Sequence, residues 1–108
     1  MLDVKKINSE EFLELIKEVN DHQIVDVNEE PLDFDLSSNV LHIPFSKLEA
    51  QQSKLSKDMP IVLICKFGEK CFFGAALLMN NFGFRNVMSL TGGMEALNEL
   101  IEERKEKR

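Results

Sequence analysis

Ile61-Val62-Leu63-Ile64-Cys65-Lys66-Phe67-Gly68-Glu69-Lys70-Cys71 is the stretch from which the rest of the chain can be placed. Its first four residues have no polar face. A run apolar on both sides belongs in the middle of a parallel sheet with helices over both surfaces. Beyond the loop, Phe72, Phe73, Ala75, Ala76, Leu77, Leu78, Met79 and Phe82 are apolar most of the way round a helix, which predicts a buried one ended by Gly83. In open α/β sheets, ligands gather outside the carboxyl ends of the strands. Cys65, the first residue past the most apolar strand, stands at that place.

Working outward, Ser9 reads as an N-cap with Glu10 and Glu11 at the positive end of a helix dipole. Phe12, Leu13, Leu15, Ile16 and Val19 follow at helical spacing. Ile24-Val25-Asp26-Val27 reads as a buried strand, and residues 29–39 as an acidic loop containing Pro31. Val40-Leu41-His42-Ile43 is a short strand stopped by Pro44. Ser46-Lys47-Leu48-Glu49 has the pattern of a capping box and predicts a helix start. Lys57-Asp58-Met59-Pro60 is a turn, Asn86-Val87-Met88-Ser89-Leu90 a strand, and Gly92-Gly93 a tight turn. The last helix begins at Met94 with Leu97 and Leu100/Ile101 inward, and residues 102–108 read as a charged, frayed tail. Met79, Met88 and Met94 are assigned to core packing. The alternation predicts one α/β domain over residues 1–108, with a core of about 7–101 and a mostly parallel sheet flanked by helices on both faces.

Composition narrows the function. At 108 residues, 44% apolar and 30% charged, the chain is an ordinary single globular domain. Its longest apolar stretches, 61–65 and 72–79, fall far short of the ~20 residues of a bilayer span, so no membrane partner is expected. The start, Met1-Leu2-Asp3-Val4-Lys5-Lys6, lacks the basic-then-apolar order of a signal peptide. The expected location is cytoplasmic, where two cysteines are thiols rather than a bridge. Net charge is −6, with residues 1–36 at −8 and residues 37–108 at +2. An acidic first third, and no Trp or Tyr for base stacking, argue against nucleic acid.

The loop from Cys65 to Lys70 can curl so that successive amides point inward and form an anion nest. Gly68 frees the curl, and the following helix N-terminus adds partial positive charge. A cysteine facing such a nest is partly thiolate at neutral pH. Lys66 and Lys70 would reinforce this, and Glu69 would oppose it if turned inward. The plainer alternative is that Cys65 is a small buried hydrophobe. Phe67 must either cover the site or face a partner. Cys65, Cys71, His22 and His42 match no common zinc spacing, so no metal is expected. His42 is assigned to a hydrogen-bonded core or rim position rather than to a catalytic base.

Cys65-x-x-Gly68-x-Lys70-Cys71 resembles the active-site loop of single-domain rhodanese-like sulfurtransferases, usually C-x-x-G-x-[R/K]-[S/T]. The similarity continues in family order through Ile24-Val25-Asp26-Val27, Leu41-His42-Ile43-Pro44, Lys57-Asp58-Met59-Pro60-Ile61-Val62, Gly83-Phe84-Arg85-Asn86-Val87 and Leu90-Thr91-Gly92-Gly93. The set covers about residues 7–101. The resemblance implies a rhodanese-like α/β fold and a persulfide mechanism without a cofactor. Cys65 would take a sulfane sulfur from a small anionic donor such as thiosulfate and pass it to a thiophilic acceptor, a thiol or a protein. The amides of Lys66, Phe67, Gly68, Glu69, Lys70 and Cys71 would cradle the transferred group, Lys70 would attract the donor, and Asp26 would support the site.

The sequence departs from the family pattern in places. Asn28 stands where Arg is usual after Asp26-Val27, so an ion pair is expected to be missing. The G-H-I-P-G-A segment has no counterpart in residues 35–39, and Leu97 lies near a usual Trp. Cys71 replaces a hydroxyl residue. A second thiol there could attack a Cys65 persulfide or sulfenic acid and leave a Cys65–Cys71 disulfide, but the simpler reading is a packing stand-in at a helix N-terminus, since bridging would distort the nest. Two other functions fit the resemblance: a non-catalytic protein-binding module, and a cysteine phosphatase or arsenate reductase. The second lacks the arginine of C-x5-R, because position 71 is Cys.

Overall fold

Side-chain alternation along the central strand β4 (Ile61–Ile64) decides which helix meets which residue. Ile61 and Leu63 join Val25, Val27, Ile43, Leu48, Leu78 and Phe84 in one core. Val62 and Ile64 join Ile7, Phe12, Ile24, Leu90, Met94 and Leu97 in the other. Helices α2 (Phe45–Gln51) and α3 (Glu69–Phe82) cover the first face, and α1 (Ser9–Leu15) and α4 (Gly93–Glu106) the second. The structure, a computed structural model, describes residues 3–17, 22–33 and 40–106. By the same alternation Cys65 falls on the first face, where it packs in one cluster with Cys71 of α3.

The sheet has five strands in the order β1-β5-β4-β2-β3, with β1 at Lys5–Ile7, β2 at Gln23–Asp26, β3 at Val40–His42 and β5 at Val87–Leu90. Every pairing is parallel: Ile24 lies opposite Val62, Ile61 opposite Val87, Val25 opposite Leu41 and Lys5 opposite Met88. The sheet is thus wholly parallel, where the sequence predicts mostly parallel. Four consecutive buried residues in β4, and four in β5, are what a strand covered on both faces requires. Gly83 ends α3 in a left-handed conformation, and the Phe84 amide returns to the Leu78 carbonyl at 3.2 Å. Among the described residues no helix is long and apolar enough to cross a membrane.

Several sequence expectations change. β1 is an additional strand; only Ile7 of its three residues is buried, so it carries no periodic signal. The cap of α1 is Asn8 rather than Ser9. Its side chain accepts from the Glu11 amide at 2.8 Å while Glu11 accepts from the Asn8 amide at 3.0 Å. Ser46 lies inside α2, after Pro44, and makes no capping box with Glu49. Its amide and hydroxyl instead donate to Glu29, at 3.0 and 2.6 Å. α3 is not buried all round, because Phe73 is 60% exposed. Residues 102–106 continue α4 instead of forming a tail. Val19 and residues 34–39 lie outside the described residues.

The start of α4 packs tightly against the loop after β4. Gly93 has φ +63°, and a Cβ there would lie 2.5 Å from the Lys66 carbonyl oxygen and closer still to that of Cys65. Gly93→Ala is therefore expected to destabilise the domain by about 3 kcal/mol, from left-handed strain plus overpacking. Urea denaturation of the two proteins measures this. A loss below about 1 kcal/mol would show that the loop yields freely.

Candidate active site

After β4 the chain turns sharply over the start of α4. The carbonyls of Cys65 and Lys66 accept from the amides of Met94 (2.8 Å) and Glu95 (2.9 Å), satisfying donors in the first turn of α4 that have no partner within the helix. With these two carbonyls committed to α4, two amides later in the loop turn in. Gly68 donates to Cys65 Sγ at 3.1 Å and the Cys71 amide does so at 3.4 Å. Gly68 makes this possible at φ +99°, where a Cβ would sit 2.9 Å from the Gly92 nitrogen. The loop is shorter than expected, since α3 begins at Glu69 and residues 69–71 form its first turn. The Lys66 amide takes no part in the cradle; it faces Asn28 Oδ1 at 3.4 Å.

Cys71 does more than pack. Its thiol reaches Cys65 Sγ at 3.4 Å, with the carbonyls of Gly68 (3.2 Å) and Leu90 (3.5 Å) as further acceptors. Both cysteines are free and buried. The hydrogen bond from Cys71 leads the causes that lower the Cys65 pKa to about 6. Burial opposes it, and the amides of Cys71, Gly68 and Lys70 support it. The same hydrogen bond, followed by burial and the charge on Cys65, pushes the Cys71 thiol up. These opposite shifts favour the thiolate on Cys65 and the proton on Cys71. Hydrogen bonds, from the Cys71 thiol first and then from amides of the kind expected in the nest, lead this effect.

Cys65 opens into a pocket of about 240 Å³ lined by Asn28, Lys66, Phe67, Glu69 and Lys70. Lys66, Glu69 and Lys70 are exposed at its wall. Phe67 does not close over it; its side chain is 61% exposed, with Lys66 Nζ 5.2 Å from the ring centroid. Asp26, buried at the end of β2, accepts from the amides of Asn28 (2.9 Å) and Leu32 (2.8 Å). Two backbone donors thus satisfy the carboxylate that was expected to lack its ion pair. Asn28, read from the sequence only as a departure, is a pocket residue. It links Asp26 to the Lys66 amide, and its carbonyl meets His42 Nε2 at 2.8 Å. His42 is accordingly a hydrogen-bonded rim residue. A second groove of about 310 Å³, lined partly by Lys6, Phe72 and Phe73, lies on the other side of Phe67 and Gly68. Nothing local in the sequence connects Lys6 to this loop; the pairing of β1 with β5 brings it there.

The model of the Rhodanese-like domain matches residues 8–100. A protein named sulfurtransferase from Allochromatium vinosum is 26% identical over 95 residues, covering 86% of this chain and 87% of that protein. The solved rhodanese homolog from Thermus thermophilus is 29% identical with a TM-score of 0.69, over 86% of this chain and all of that one. A NAD-dependent persulfide reductase from A. fulgidus is likewise 29% identical with a TM-score of 0.67, over 86% of this chain. This chain spans only 16% of that larger protein's length. With the match extending from the cap of α1 into α4, and with the Cys65 loop inside it, the chain belongs to the rhodanese-like domain family.

Proposed function

We propose that the protein is a sulfurtransferase or sulfur carrier that holds a sulfane sulfur as a persulfide on Cys65. The observation that carries this is the Cys65 sulfur itself. It receives the Gly68 amide, the Cys71 amide and the Cys71 thiol at the floor of a pocket walled by Lys66 and Lys70. Family membership and the relative named sulfurtransferase support sulfur transfer in general. With thiosulfate, the Cys65 thiolate attacks the sulfane sulfur, the donor S–S bond breaks, and sulfite leaves with its electron pair. A thiophilic acceptor then attacks the outer sulfur, and Cys65 departs as the thiolate. The low pKa serves both steps, giving a nucleophile in the first and a leaving group in the second. No cofactor takes part in this scheme, and free thiols suit a reducing, cytoplasmic setting. The exposed Phe67 and Phe73 favour a second reading, docking to a protein. It is compatible with the first if the acceptor is a protein thiol.

The protein is expected to form thiocyanate from thiosulfate and cyanide, and Cys65→Ser to reduce turnover at least about a thousandfold, as loss of a nucleophile does. Equal turnover in both proteins would remove Cys65 from the chemistry and leave docking as the better reading.

The ionisation of Cys65 has its own readout. Because its folded pKa is lowered to about 6, raising the pH through that value converts thiol to thiolate. Alkylation of Cys65 by iodoacetamide, followed by mass spectrometry of its peptide, should be half-maximal near pH 6 and flat through neutrality. A midpoint above about 8, the range of an ordinary thiol, would refute the hydrogen-bonded thiolate.

Of the two lysines at the pocket wall, Lys70 is the one proposed to capture the donor. Lys70→Ala is expected to raise KM for thiosulfate about threefold at low salt with kcat little changed, and the difference should fade as ionic strength rises. An unchanged KM at low salt would mean that backbone donors alone hold the anion.

A further inference from the structure

Behind Cys65 at the pocket floor lies a second, enclosed thiol, that of Cys71, and the transfer scheme uses only the first as a nucleophile. Cys65 Sγ and Cys71 Sγ are 3.4 Å apart, within the separation of about 3–3.5 Å of a near-attack geometry. A disulfide needs about 2.0 Å, so the sulfurs must close by roughly 1.4 Å. Cys71 sits in the first turn of α3, and the loop ring between the two residues is already closed by the amides of Gly68 and Cys71 on Cys65 Sγ.

Resting on the persulfide reading above, we infer that Cys71 is an internal acceptor that discharges the Cys65 persulfide as hydrosulfide, leaving a Cys65–Cys71 disulfide. Cys71 sulfur attacks the inner, Cys65 sulfur. The Cys65–S to outer-S bond breaks with its electron pair on the outer sulfur, and the proton lost by Cys71 ends there, so that HS− leaves. One sulfane sulfur is reduced, two thiols are oxidised, and the charge is the same on both sides. Loading itself prepares the step. In the resting pair the Cys71 proton is held first by its hydrogen bond to Cys65. Once Cys65 Sγ carries an outer sulfur, the negative charge moves one atom outward into the pocket and that hold weakens. A small dithiol then reopens the disulfide by exchange. The sum is a dithiol-dependent reduction of sulfane sulfur to hydrosulfide, an activity that a hydroxyl at position 71 cannot support.

The test is a single-turnover experiment on the full chain, treated with thiosulfate in the absence of any added thiol. Wild type is expected to gain the mass of one sulfur atom and then lose it, releasing about one equivalent of hydrosulfide per chain. It should end two hydrogens lighter, with Cys65 and Cys71 joined within one chain on a non-reducing peptide map. Cys71→Ser, which keeps a donor to Cys65, should retain the added sulfur at least about tenfold longer, and Cys71→Ala provides the same comparison without that donor. Added sulfur that persists equally in wild type and both variants, or a disulfide found only between chains, overturns the inference. If neither variant folds, the wild-type sequence of mass gain, mass loss and intrachain disulfide decides alone. Absence of any sulfur adduct in all three proteins, together with no thiocyanate from cyanide, would instead refute the persulfide reading on which the inference rests.

Discussion

Two hydrogen bonds from the first turn of α4 to the loop after β4 set the geometry on which the candidate site depends. Met94 and Glu95 need acceptors because a helix start leaves its amides unpaired, and the carbonyls of Cys65 and Lys66 supply them. A peptide unit whose carbonyl points one way has its amide pointing the other. In the Cys65 peptide unit that amide is the one of Lys66, which faces Asn28; the amides that reach Cys65 Sγ, those of Gly68 and Cys71, come later in the loop that this junction holds in place. The close approach leaves no room for a side chain at Gly93, which is why the turn and the loop cannot be understood separately. Core burial on both sheet faces fixes β4 and α4, and the nest follows from their junction.

The second determinant is parity. Alternation along β4 sends Ile61, Leu63 and then Cys65 to the face covered by α3, so the thiol arrives against the first turn of that helix rather than against α1 or α4. There it meets Cys71, and two identical groups acquire opposite protonation. One sulfur receives hydrogen bonds and lies at the pocket, and the other gives its proton and is enclosed. Two thiolates in contact would repel, so each group's state enforces the other's.

The fold was legible because its decisive signals are long or unambiguous: the all-apolar β4, the helical run after it, and the paired glycines before α4. What was not legible has local physical causes. β1 exposes two lysines and buries only Ile7, leaving no period to read. Ser46 and Glu49 have the spacing of a capping box, yet Pro44 is the cap, two residues before Ser46, and a carboxylate from a distant loop, Glu29, takes the serine. The nest was legible as a loop with an essential glycine, but which amides enter it was not, since Lys66 turns to Asn28. Asn28 itself looked like a lost ion pair. The structure shows that the Asp26 carboxylate accepts two backbone amides instead, a solution invisible without coordinates because backbone donors leave no mark in sequence.

A chain of net charge −6 is an unpromising host for an anionic donor, and the resolution lies in distance. Exposed charges more than about 10 Å apart are largely screened at 0.1 M salt, although Glu29 of the acidic first third is close enough to interact with Lys70. What an anion meets there is local: amides aimed inward at the start of α3, Lys66 and Lys70 at the wall, and Glu69 as the opposing carboxylate. The fixed dipoles need no counterion and cannot swing away, whereas the lysines are exposed and screened by salt. In the proposed transfer, selection of the reacting sulfur would therefore belong to the backbone, and the lysines would govern how readily an anion arrives. The same division explains why the nucleophile can stay ionised in a buried position: the groups that stabilise its charge are held by the fold itself, through the α4 junction and the thiol of Cys71.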